Sequence, residues 1–266
     1  MKKTPETGIL QLVIVTGVAS VAGQLLIIRE FLSRFEGNEF VIALILFSWL
    51  VLGGAGTWAA HAAERRLLSP GLTRLAVLSM ILAALGPLTL LAARTARDVV
   101  FVHGSAAGFY ATFGYIFAIL APYCLLLGFL LPYSLFCARI SNPGFSGTRV
   151  YIADNIGDVC GGALFSFLLV LIATPLEAMF AINAILVASA VIMLPGNKRL
   201  QARILGSAAV VLAVIITALF LEKASLKLQG GELVHYEDSR YGRVEIFNAP
   251  CRPSVDSGGP GGYENH

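Results

Sequence analysis

Residues 151–175 read YIADNIGDVCGGALFSFLLVLIATP, and the rest of the chain is organised around them. Polar and small residues open the stretch, and about a dozen strongly apolar ones finish it. That gradient is the pattern of a helix crossing a membrane, with Asp154, Asn155 and Asp158 at its mouth. Gly157 and Gly161 make a small-xxx-small step, repeated by Gly162 and Ser166, along which a second helix approaches closely. Carboxylates so near hydrocarbon are costly, so each is expected to meet a partner or a wet cavity.

The composition extends this reading to the whole chain. Apolar residues make up 57% of the 266 and charged ones 13%, and the mean hydropathy is +0.78. Such values describe a multi-pass membrane protein with the lipid bilayer as its main partner. A net charge of +3 gives no footprint for nucleic acid. The four cysteines and four histidines are scattered, without metal-ligand spacing or a disulfide framework. No metal, no cofactor and no catalytic residue is expected in this chain.

Apolar runs place spans at residues 8–31, 40–60, 72–93, 112–137, 151–175, 177–194 and 204–221. The expected fold is therefore an all-α, polytopic transmembrane bundle of about seven spans over residues 1–222. Residues 1–6 form a charged leader, and the first apolar run is too long for a signal-peptide core, so it reads as a retained helix. Gly53, Gly54 and Gly56 form a tight-packing patch in the second span. Gly86-Pro87 is expected to bend the third, and residues 94–111 read as an interfacial loop. Pro122 and Pro132 interrupt the fourth, which helices in lipid tolerate where neighbours satisfy the backbone.

Ten basic residues fall on one side of this arrangement: Lys2, Lys3, Arg65, Arg66, Arg74, Arg139, Arg149, Lys198, Arg199 and Arg203. Five fall on the other, namely Arg34, Arg94, Arg97, Lys223 and Lys227. The bias puts the N-terminus in the cytoplasm and, with seven spans, the tail outside. In that tail, residues 223–266, GELVHYEDSRYGRVEIF at 231–247 alternates as a strand does, with Val244 and Ile246 against Arg243 and Glu245. Residues 248–266 are rich in Gly, Pro and Ser and are expected to be disordered.

Two stretches carry a family resemblance. EDSRYGRVEIF at 237–247 resembles the opening strand of the spermidine synthase family, a Ser-x-Tyr-Gly/Gln-x-Ile/Val-x-Val segment. The membrane part resembles the helical region fused ahead of that domain in membrane-bound bacterial spermidine synthase-like proteins. Its matching pieces are residues 23–35 with Arg29, LVLGGAGTWAA at 50–60 and LLLGFLLPYS at 125–134. A Tyr-x-x-Asp/Asn-x-x-Gly-x-x-x-Gly signature is met by Tyr151, Asp154, Gly157 and Gly161. The resemblance implies a bacterial inner-membrane protein that anchors, or serves as subunit for, a soluble aminopropyltransferase-like partner domain. The family's glycine-rich loop and catalytic aspartate have no counterpart here, since Gly258-Gly259-Pro260-Gly261-Gly262 neither follows a strand nor opens a helix. Aminopropyl transfer by this chain alone is accordingly not expected.

Two further functions stay open beside the anchor. Asp154 and Asp158 are four apart and share a helix face; paired carboxylates suit a cationic solute such as a polyamine, which would make the protein a small carrier or channel. The structural alternative has Asp154 capping the helix and Asp158 paired with an arginine. A third possibility is a structural subunit of a larger membrane complex, with the glycine faces as contacts. At the far end of the first span, Arg29 and Glu30 read as interface charges that snorkel, or that dock the tail near Lys223. Asn183 is expected to make one interhelical hydrogen bond, and Trp49, Trp58, Tyr110, Tyr115, Tyr123 and Tyr133 call for no special site, several of them being expected at interfacial belts.

Overall fold

The computed structural model describes residues 5–35, 39–66, 71–101, 108–193, 205–206, 208–213, 216–218, 232–239 and 242–248. Among these, six helices are long and apolar enough to cross a membrane. They are α1 (Pro5–Arg34), α2 (Glu39–Arg66), α3 (Leu72–Val100), α4 (Phe109–Ser141), the composite span Gly147–Ile172, and α7 (Pro175–Ile192). The composite span is α5 (Gly147–Leu164), a π-helical turn at Phe165–Leu169 and α6 (Val170–Ile172). The expected bundle is thus present. Of the seventh expected span, 204–221, only parts of a shorter apolar helix, Ala208–Ala218, fall within the described residues. The sequence beyond 248 lies outside them.

Helix ends follow local chemistry. Ser146 caps α5, its hydroxyl accepting from the Thr148 backbone N–H at 3.3 Å. The expected cap, Asp154, lies two turns further in, so the sequence reading of this helix start is corrected: nothing in 147–150 breaks a helix. Thr174 and Glu177 cap α7 reciprocally across Pro175. The Glu177 carboxylate accepts from Thr174 N–H at 2.9 Å, and the Thr174 hydroxyl from Glu177 N–H at 3.4 Å. The expected interfacial loop at 94–111 is also corrected. Helix α3 runs on through Arg94 and Arg97 to Val100, with Pro87 inside it, and α4 begins at Phe109.

Helix α1 is the hub and packs against α2, α3, α4, α5 and α7. In lipid there is no hydrophobic drive between helices, so close backbone approach has to hold them. Two glycine seams provide it. A Cβ on Gly157 would collide with the carbonyl oxygen of Ile14, one on Gly161 would lie 2.6 Å from that of Val18, and one on Gly17 would lie 2.6 Å from that of Asp154. The α1–α5 seam is therefore backbone on backbone. The second seam joins α2 and α4: Gly56 lies on the Leu125 carbonyl, and Gly128 on that of Gly53.

Not every glycine singled out from sequence works this way. A Cβ on Gly53 or Gly54 would meet nothing within 4 Å, and one on Gly162 only the Val21 methyl at 3.7 Å. Gly56, three residues after Gly53, sits on the side of α2 that turns toward α4. The described parts of the tail form one antiparallel pair, β1 (Glu232–Ser239) and β2 (Gly242–Asn248), running from Glu232 opposite Asn248 to Ser239 opposite Gly242 with a one-residue register shift between Leu233 and His235. The strand expected within 231–247 is thus two strands.

Candidate functional site

The side chains with chemistry to offer sort into two places. The first is a cavity of about 390 Å³ between α1, α2, α3, α4 and α5. Asp154 and Asp158 both line it, and both are half-buried. They stand seven and eleven residues into the Gly147–Ile172 span, about 10 and 16 Å along its axis at 1.5 Å per residue. Among the described residues neither has an ion-pair or hydrogen-bond partner, so the expected arginine for Asp158 is not found. Asn155 points elsewhere: it is exposed, and its amide donates to the Tyr151 carbonyl at 2.8 Å.

The hydroxyls of the cavity come from four other helices. Thr16 and Ser20 belong to α1, Thr57 to α2, Ser79 to α3 and Ser134 to α4. Four of these hydroxyls donate to backbone carbonyls: Thr16 to Leu12 at 2.8 Å, Thr57 to Gly128 at 3.1 Å, Ser79 to Leu75 at 2.9 Å and Ser134 to Leu131 at 2.6 Å. A hydroxyl has one proton, so what each presents to the cavity is a lone pair. Trp49 lines the same space, its ring edge-on to Tyr123 at 5.6 Å. Gly53 and Gly54 also line the cavity, where the missing side chains leave room.

The second place is the other end of α1. Glu30 and Arg94 are both fully buried and paired through two hydrogen bonds: Arg94 Nε donates to Oε1 and Nη2 to Oε2, each at 2.9 Å. This fork-on-fork geometry is the strongest form of the pair. Arg34 Nε adds a longer contact to Oε1 at 3.6 Å. Phe31, Phe35, Phe101 and Tyr115 pack around one another at ring separations of 5.5–6.3 Å, and Arg97 lies over the Phe35 ring. Glu30 therefore does not snorkel. The reason is Arg94, which the extension of α3 carries to it, while Arg29 stays half-buried one position away.

Two other expectations resolve locally. The Asn183 amide donates to the Met179 carbonyl of its own helix at 2.7 Å, rather than to a neighbouring helix. It lies against Gly86 of α3, where a Cβ would come within 2.9 Å of Nδ2. Cys124 and Cys137 are buried and Cys160 exposed, all as free thiols. Among the described residues no group of three His, Cys, Asp or Glu side chains is placed to hold a metal ion.

Fold and site together define the class: a polytopic membrane bundle with an acidic, acceptor-lined cavity that opens along α2. No protein-family model, curated protein or solved structure matches the chain.

Proposed function

We propose that this protein binds a small cationic solute inside the membrane, as a carrier or receptor. The observation that carries this is the placement of Asp154 and Asp158 on one cavity with no counter-charge among the described residues. Ionisable groups at membrane depth are expensive and mark solute pathways or relays. An ionised carboxylate here needs a cation, and the surrounding lone pairs add acceptors for it.

The lining positions fall in the first half of α1, of α3 and of the Gly147–Ile172 span, around the middle of α2, and from the middle onward in α4. The cavity therefore sits in the half of the bundle that holds the N-terminus of α1. The ten-to-five bias of basic residues favours that side as cytoplasmic. Reconstitution into vesicles with a panel of sodium, magnesium and butylammonium salts tests the proposal. Saturable binding or uptake of at least one cation, lost in Asp154→Asn/Asp158→Asn, is the expected result. Equal behaviour of wild type and variant toward every cation would sink it.

A second role is favoured by the β1–β2 hairpin. A two-stranded hairpin leaves both outer edges unpaired and is marginal alone, so a partner sheet adding to either edge would stabilise it. With the resemblance of residues 237–247 to a spermidine synthase opening strand, this supports an anchor for a soluble aminopropyltransferase-like domain. Purification from native membranes should then bring such a domain along, and isolation of the bundle by itself counts against the anchor.

A further inference from the structure

We infer that the cation held by this cavity is an organic ammonium ion with an apolar body, gripped between the Asp154/Asp158 face and Trp49. The inference rests on the cationic-site proposal and asks which class of cation the walls select.

Size comes first. About 390 Å³ is many times the roughly 30 Å³ that one water takes up in the liquid. It falls in the range of pockets that hold organic ligands. A bare sodium or magnesium ion would fill a small corner, and six or more oxygens would have to converge on it. Here the carboxylates lie on α5 alone, while the hydroxyls are spread over α1, α2, α3 and α4. A metal ion would have to keep its water shell, and that shell would face leucines.

Chemistry comes second. The hydroxyls whose bonds are fixed already donate to backbone carbonyls, so together with the carboxylates they form a wall of acceptors. An ammonium group supplies up to three N–H donors to such a wall. The rest of the lining is apolar, with Leu12, Val13, Leu127 and Leu130 among it, and it suits a hydrocarbon body better than a hydration shell. Trp49 adds an aromatic surface of the kind that attracts ammonium ions within about 6 Å of the ring.

Binding to the full-length protein in lipid nanodiscs tests this. The chain has two tryptophans, so Trp58→Phe leaves Trp49 as sole indole reporter; Trp58 itself is 74% exposed on the outside of the bundle. Butylammonium chloride should change Trp49 emission saturably, while sodium and magnesium chloride at equal ionic strength should neither do so nor displace it. Asp154→Asn/Asp158→Asn should weaken butylammonium binding by about ten- to a hundredfold. Trp49→Leu, followed by calorimetry, should weaken it by about three- to thirtyfold. If sodium or magnesium saturates the carboxylates and butylammonium does not, this inference fails while the cationic site stands. If no cation binds, both fall. Butylammonium binding untouched by Trp49→Leu would remove the indole and overturn the grip described here.

Discussion

Helix α1 has one acidic neighbourhood in each half of its length, and the two are handled in opposite ways. Toward its C-terminus, Glu30 is fully buried and held by both arms of Arg94. Toward its N-terminal half, α1 packs on α5 so that Asp154 and Asp158 face a cavity without a partner among the described residues. A buried carboxylate that is satisfied internally fixes structure, because its charge is compensated by the cation held against it. A carboxylate left facing open space keeps its field for a ligand. The difference separates a structural pair from a candidate binding site within one bundle.

The strongest way to break this comparison is at Glu30. Glu30→Ala leaves Arg94 buried without its carboxylate and should cost about 3–5 kcal/mol in stability. Glu30→Leu/Arg94→Met should recover much of that loss, because the fully buried guanidinium goes with its carboxylate and only Arg34 gives up its longer contact. Denaturation of the detergent-solubilised protein reads both, and a single variant as stable as wild type would make the pair incidental. A smaller loss, about 1–3 kcal/mol, is expected for Gly157→Ala, whose methyl would meet the Ile14 carbonyl.

The acidic face of the cavity should respond with the opposite sign. Asp154→Asn/Asp158→Asn removes two unpaired charges from a low-dielectric setting, so the ligand-free protein should be as stable or gain up to about 1 kcal/mol. Loss of stability beyond that would mean the aspartates hold the bundle together, as Glu30 does. Smallest of all is Gly54→Ala, where the added methyl meets nothing within 4 Å and stability should change by less than about 0.5 kcal/mol. Paired with Gly157→Ala, it separates glycines that seal a seam from glycines that only leave space.

Much of this was legible in residue order. The membrane spans appear as apolar runs because lipid demands them. The Thr174-Pro175-Leu176-Glu177 start of α7 is a capping signature written in four adjacent residues. Asp154 and Asp158 stood out because carboxylates are rare in such runs. What misled was the assumption that charge marks a helix end: Arg94 sits well inside α3, and Asp154 well inside α5. Both placements depend on what faces them across a helix interface. The hydroxyls of Thr16, Thr57, Ser79 and Ser134 gave no signal at all, since each comes from a different helix and is individually ordinary.

Sequence alone determined that this protein lives in a bilayer, how its main crossings are spaced, and which residues are too polar to be there without cause. Those are local matters, set by the cost of placing each side chain or backbone group in hydrocarbon. Only the tertiary structure decided that Glu30 is answered by Arg94 and that two aspartates open on a shared space. It also decided that Gly56 and Gly128, not Gly54, let α2 and α4 touch. Such choices arise where helices distant in sequence meet, because a partner, a void or a close approach belongs to the pair of surfaces and not to either one.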